Sequence, residues 1–251
     1  MRGLFVTGTD TGVGKSVLSA ALVAAIAAGG ESVRAFKPVV TGLEDSADGD
    51  ETVGEIADGH AAAGEEAESG WPADHVLLGA AAGMAPEQVS PFRFGPAVSP
   101  HLAAELAGQA IEPQRLLGAA KAAAREHTLI VEGVGGLLVP LREDYSVCDF
   151  AVALDLPVLI AARPGLGTIN HTLLTLRVAR DAGLNVLAVV LTPWPRQPSV
   201  MESSNRQTIA HIGAVEVLVL HQIGGPEPSE LARAGDDLPW HRWLEFRRGA
   251  G

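Results

Sequence analysis

The run GTDTGVGKS, Gly8 to Ser16, follows the short apolar segment GLFVT and leads straight into an alanine-rich stretch. Glycines, a lysine and a hydroxyl in that order suit one chemistry, the gripping of phosphate groups. Backbone N–H groups at a helix start point at phosphate oxygens, and the helix dipole adds to the attraction. Gly12 and Gly14 let the backbone approach closely and adopt positive φ. Lys15 reaches toward the β- and γ-phosphates, and the Ser16 hydroxyl can coordinate Mg2+. The expected nucleotide contacts of the loop are therefore Gly12, Val13, Gly14, Lys15, Ser16 and Val17. The usual spacing G-x4-G-K-[ST] would place a glycine at position 9, where this chain has Thr9, so the loop is a variant form.

Other chemistry-bearing residues fall just past apolar segments. Lys37 and Thr41 lie in AFKPVVTG, and Glu132 closes TLIVE ahead of a glycine run, GVGG. A lysine beside a phosphate loop can stabilise a transferring phosphoryl group, a reaction that is mostly positioning and charge stabilisation. A carboxylate at the tip of a buried strand there is a natural second Mg2+ ligand, and the glycines let Gly133, Val134 and Gly135 lie against nucleotide. In GLGTINHT, Gly165, Gly167 and Thr168 precede a helical pattern, leaving backbone N–H groups free for a carboxylate. Ser99 and His101 in VSPH stand at another helix start, and His101 is not assigned a proton-transfer role.

These residues need elements that bring them to one edge. Short apolar runs predict strands at Gly3–Thr7, Ser32–Lys37, Thr128–Glu132, Pro157–Ala161, Val186–Leu191 and Val215–Leu220. Helical patterns lie between and after them, at Lys15–Ala27, Pro100–Gly108, Pro113–Glu126, Ser146–Leu154, Thr168–Ala182 and Ser199–His211. Strands apolar throughout are those buried on both faces. The expectation is an α/β chain, a single-domain three-layer P-loop NTPase fold with a mostly parallel sheet and helices on both faces. Ligands of such sheets bind at the carboxyl ends of the strands.

The 251 residues carry 30 acidic and 18 basic side chains, a net charge of −12, which excludes a general nucleic-acid binder. Twelve of the acidic residues, Glu44 to Glu87, fall between Pro38 and Phe92, where no Lys or Arg occurs. An irregular acidic insertion is expected at about 44–90, with 59–90 a long connection. The single cysteine, Cys148, excludes a disulfide framework and a cysteine-only metal site, and it suits a reducing compartment. No apolar run reaches the roughly 20 residues of a membrane span. The opening Met-Arg runs into the loop without a signal-peptide layout, so a cytoplasmic enzyme is expected. The tail WHRWLEFRR reads as a packed terminal helix or a partner-facing one.

The loop GTDTGVGKS resembles that of the dethiobiotin synthetase family, and AFKPVVTG, SPFRFGPAVSPHLAAE, VEGVGGLLVPL and PGLGTINHTLLTL resemble the same family in the same order. They cover most of residues 1–182; the later third matches loosely. The resemblance implies ATP-dependent ring closure of 7,8-diaminopelargonate with CO2, using Mg2+, in a homodimer. It implies that Lys37 and Lys15 are catalytic, and that Thr11, Lys37, Thr41, Gly165, Gly167 and Thr168 bind the diamine. It also implies three Mg2+ ligands, Ser16, Glu132 and an aspartate after the second strand, where Asp48 and Asp50 compete. Asp50 is favoured because a helical pattern starts right after it. One departure is clear: the Asn-Asp pair that reads adenine in well-known members is replaced by LTPW, Leu191 to Trp194, which leaves the base preference of the nucleoside triphosphate open. The rival expectation is an ATPase switch of the partitioning type. Those proteins carry a lysine near the start of the loop, where this chain has Asp10.

Overall fold

A computed structural model describes residues 1–43 and 70–246. Strands are β1 (Gly3–Gly8), β2 (Val33–Phe36), β3 (Val39–Val40), β4 (Phe92–Arg93), β5 (Thr128–Gly136), β6 (Pro140–Arg142), β7 (Tyr145–Ser146), β8 (Val158–Ala162), β9 (Val186–Trp194) and β10 (Glu216–His221). Helices are α1 (Lys15–Ala28), α2 (Asp74–Ala82), α3 (Pro86–Val89), α4 (Pro100–Leu106), α5 (Pro113–Ala123), α6 (Val147–Leu154), α7 (Thr168–Asp181), α8 (Val200–Gly213), α9 (Pro228–Asp236) and α10 (Trp240–Glu245).

Six strands form one sheet in the order β10-β9-β8-β1-β5-β2, and every pairing in it is parallel. Two-stranded pairings, β3 with β4 and β6 with β7, lie outside it. The reason the strands are apolar throughout is visible along each of them. Leu4 and Val6 join one core and Phe5 the other; Ile130 faces one side, Leu129 and Val131 the other; Leu159 and Ile160 divide the same way. With a period of two, a strand covered on both faces needs an apolar residue at every position. One core is closed by α1, α2, α3, α9 and α10, the other by α4, α5, α6, α7 and α8. The three-layer parallel fold expected from the sequence is the one formed.

Helix α1 is buried nearly all round, from Leu18 to Ile26, because the sheet covers one side and α2, α9 and α10 cover the others. Such helices lose the one-sided apolar stripe of a surface helix. Its alanines allow α9 to come close: a Cβ on Gly235 would stand 2.1 Å from the Ala21 carbonyl oxygen. Trp240 packs at the end of α1, near Gly29, and both Trp240 and Trp243 are buried. The helix Trp240–Glu245 is thus packed on the core.

The acidic connection is corrected over its second half. Residues 44–69 lie outside the described residues, but Asp74–Ala82 and Pro86–Val89 are helical, and Leu77, Leu78, Ala81 and Val89 are buried against α1. The twelve acids spread over the segment masked a nine-residue apolar helix, DHVLLGAAA, with one acid at its head. β9 also runs three residues further than expected, to Trp194.

Candidate active site

The strands place the reactive side chains along one edge. β1 ends at Gly8 and the phosphate loop turns from it into α1. Gly12 and Gly14 have φ of 66° and 88°. At Gly14 a Cβ would also lie 2.8 Å from Thr192 Cγ2, so both the backbone and the neighbouring strand end demand glycine. β5 runs beside β1 with Val6 paired to Glu132, which puts that carboxylate under the loop, fully buried. β2 pairs with the other side of β5 and delivers Lys37, whose N–H donates to the Val89 carbonyl at 2.9 Å.

Four side chains meet there. Glu132 Oε1 accepts from Ser16 Oγ at 2.9 Å and from Lys37 Nζ at 2.7 Å. Lys37 Nζ also donates to Asp74, at the first position of α2. Lys37 is only 5% exposed. Burial alone would push its pKa down, but the charges of Asp74 and Glu132 overcome that and hold it above the usual lysine value. Burial raises the Glu132 carboxyl, reinforced by Asp74 and opposed by Lys37. Asp74 is lowered: burial works against ionisation, and Lys37 wins. Glu132 Oε2 is buried and has no hydrogen-bond partner. An unpaired buried carboxylate oxygen, beside a second carboxylate and a hydroxyl, is a hard-oxygen set that fits a small divalent cation such as Mg2+.

Around this cluster the loop is braced from several sides. Lys15 Nζ donates to the Asp10 carbonyl at 2.7 Å, and Asp10 Oδ1 accepts from the Thr11 N–H at 2.7 Å. Arg163, directly after β8, places Nε and Nη2 at 3.2 and 3.1 Å from the Gly12 carbonyl. The following turn is fixed by Asn205 of α8, whose Nδ2 donates to the carbonyls of Pro164 and Gly165 at 3.0 and 3.2 Å. There α7 begins after Gly167, with Thr168 buried and Thr168 Oγ1 3.3 Å from Thr172 Oγ1.

Of the expected site residues, Ser16, Lys37 and Glu132 are brought into direct contact, and the backbone of Gly12 to Val17 wraps the same point. Gly133, Val134 and Gly135 continue β5 past Glu132. Thr41 follows β3 and is half-buried; Gly165 and Gly167 lie in the turn before α7. Ser99 stands at the N-cap of α4 with no capping hydrogen bond, and His101 is exposed. Asp48 and Asp50 lie outside the described residues. Asp74, which sequence reasoning passed over, also meets Lys37. Its signal was an acid heading an apolar helix just after a Trp-Pro turn. Arg163 was missed as well, although the rule that picked Lys37 and Glu132, a charge just past an apolar strand, applies to it equally. At the end of β9, Trp194 is 5% exposed and belongs to the core, so its ring is not presented to a nucleotide base.

Known proteins fit this geometry. A family model described as an AAA domain matches residues 2–220. An ATP-dependent dethiobiotin synthetase BioD from Bacillus licheniformis is 36% identical, covering 92% of this chain and 90% of that protein. Its namesake from Anaeromyxobacter dehalogenans is 39% identical over 88% and 89% of the two chains. The chain belongs to the dethiobiotin synthetase family. A Mycobacterium synthetase of the same name, 36% identical, is matched over 97% of this chain and 98% of its own length. Coverage is nearly end to end, so the loosely matching last third belongs to the family too. Solved structures add the fold alone. The septum site-determining protein MinD of Pyrococcus horikoshii, complexed with Mg-ADP, superposes with a TM-score of 0.52 at 13% identity, over 99% of this chain and 100% of that one. The cell division ATPase MinD of Pyrococcus furiosus gives 0.50 at 16%, over 94% and 98%.

Proposed function

We propose that this dethiobiotin synthetase family member carries out ATP-dependent closure of 7,8-diaminopelargonate with CO2 to dethiobiotin, a step of biotin synthesis. The observation that carries the reading is the sharing of one atom, Glu132 Oε1, by Ser16 of the phosphate loop and Lys37. It sets a second lysine beside the place of the transferring phosphoryl group, where an anionic carbamate needs neutralising.

In the sequence of steps, one amine of the substrate adds to CO2 and loses a proton, giving a carbamate. A carbamate oxygen attacks the γ-phosphorus of ATP and ADP leaves, giving a carbamic-phosphoric anhydride. The second amine then attacks the carbonyl carbon, the ureido ring closes and phosphate departs. None of these steps needs a protein nucleophile. The chain supplies positioning and charge: Lys15 and the N–H groups of Gly12 to Val17 hold the phosphates, and Lys37 faces the carbamate. Glu132 to Gly135 line the nucleotide. Thr11, Thr41, Gly165, Gly167 and Thr168 bind the diamine, the last three at the N-terminus of α7, which suits its carboxylate. Mg2+ would be held by Ser16, Glu132 and Asp74 and would neutralise charge on the β- and γ-phosphates. Asp74 is included because it lies against Lys37 within the cluster; Asp50, the ligand expected from the sequence, lies outside the described residues.

A homodimer accompanies this reading. Leu166 and Val200 are 92% and 89% exposed, on two segments that Asn205 ties together beside the substrate turn. Base preference is read as broad, since the end of β9 offers Thr192 to the loop and Trp194 to the core rather than an Asn-Asp pair.

The test is phosphate release by the purified protein with Mg-ATP and bicarbonate, with and without the diamine, repeated with CTP and GTP. Diamine-dependent release with dethiobiotin seen by mass spectrometry is the expected result. Diamine-independent hydrolysis would favour the ATPase-switch alternative.

A further inference from the structure

Lys37 is oddly placed for a side chain that must meet substrate. Its buried ammonium is taken up by Glu132 and Asp74, the two carboxylates of the proposed cation site. Glu132 Oε1 already accepts from both Lys37 Nζ and Ser16 Oγ, at 2.7 and 2.9 Å, while Oε2 is buried with no partner. A divalent cation held by Ser16, Glu132 and Asp74 would draw on the same two carboxylates that hold the lysine.

Charge makes the same point. Two carboxylates and one ammonium leave this group at −1, and a divalent cation added beside the lysine would take it to +1, with like charges packed at contact distance where little water reaches. Repulsion at that spacing is strong away from bulk solvent. The backbone of Lys37 is pinned by its hydrogen bond to Val89, but its ammonium rides on a flexible four-carbon stem and can swing.

We propose that Lys37 serves as a built-in counter-ion that fills the cation site of the nucleotide-free chain, and that the divalent cation arriving with the nucleotide displaces its ammonium toward the carbamate and phosphoryl oxygens. The inference rests on the roles given above to Lys37 and to the Asp74–Glu132 pair. It makes the second lysine available only when the metal-nucleotide is in place, and before then it offsets part of the charge of the buried Glu132 and half-buried Asp74 carboxylates.

Mn2+ is a suitable probe, since its free form is counted directly by electron paramagnetic resonance without turnover or nucleotide. Lys37→Met and Lys37→Gln should each bind Mn2+ about tenfold or more tightly than the unaltered protein, because the internal competitor is gone. Lys37→Arg, which keeps a cation, should bind as weakly as the unaltered protein. Equal Mn2+ affinity in all four proteins would overturn the proposal. If the neutral variants fail to fold, lysine acylation followed by mass spectrometry decides on the unaltered protein. Mn2+ alone should then raise labelling of Lys37 about threefold or more, as the ammonium leaves its carboxylates, and unchanged labelling would overturn the idea. Diamine-dependent dethiobiotin formation alongside unchanged Mn2+ affinity would sink this inference alone and leave the assigned activity standing.

Discussion

Lys37 illustrates how much one side chain can be asked to do when it is buried between two carboxylates. Replacing it with alanine removes the charge proposed to neutralise the reacting oxygens, so turnover should fall about 100- to 1,000-fold. Circular dichroism should still report a folded α/β chain, and near-normal turnover would refute the role. Arg163 acts differently, through the loop it braces: its two N–H groups on the Gly12 carbonyl hold the phosphate cradle shaped before nucleotide arrives. For Arg163→Ala we expect KM for ATP to rise about three- to tenfold with kcat little changed, since ordering the loop must then be supplied by binding. Steady-state kinetics separates the two constants. Cys148 is 7% exposed, and burial, helped by the Asp149 charge, lifts its thiol above the usual value. At pH 8 the folded protein therefore holds less thiolate than a free cysteine, and iodoacetamide should alkylate it about tenfold or more slowly than in urea.

At the scale of elements, α1 is the part on which everything leans. Its first turn forms the phosphate cradle, its body is covered by α2, α9 and α10, and its far end meets Trp240. Trp240 is 1% exposed, so Trp240→Ala should cost about 3–5 kcal/mol in urea denaturation, by the lost burial and the cavity left behind. Helix α2 ties stability to function more closely. It packs Leu77 and Leu78 on α1 and carries Asp74 to Lys37 at its head. Leu78→Ala should lower stability by about 2–5 kcal/mol and, by loosening the seat of Asp74, raise the Mg2+ concentration needed for half-maximal rate. An unchanged Mg2+ requirement would show that α2 is held by its other contacts.

For the molecule as a whole, the net charge of −12 and the burial of both tail tryptophans point the same way. Among the described residues no helix is long and apolar enough to cross a membrane, and the WHRWLE helix spends its apolar face on the core. Co-sedimentation with anionic liposomes should leave the protein in the supernatant, with or without ATP. The MinD proteins that share the fold at 13–16% identity show that the fold alone does not select a reaction. Sedimentation equilibrium should give twice the 25.9 kDa chain mass, and a monomer would refute the proposed homodimer.

The sequence by itself determined the parallel three-layer fold, because strands apolar at every position can only be buried on both faces. It determined the phosphate loop, because glycine, lysine and serine at fixed spacing between a strand and a helix have a local physical meaning. It also marked Lys37 and Glu132, since strand ends in such sheets gather at one edge. Only the tertiary structure decided that Asp74, far along the chain from the second strand, joins Glu132 on Lys37. That contact is set by how α2 packs on α1, a long-range arrangement that local charge counting cannot see. Arg163 over Gly12 and Asn205 under the turn before α7 became partners the same way, across 151 and 41 positions of sequence, through the order in which strands and helices were laid side by side.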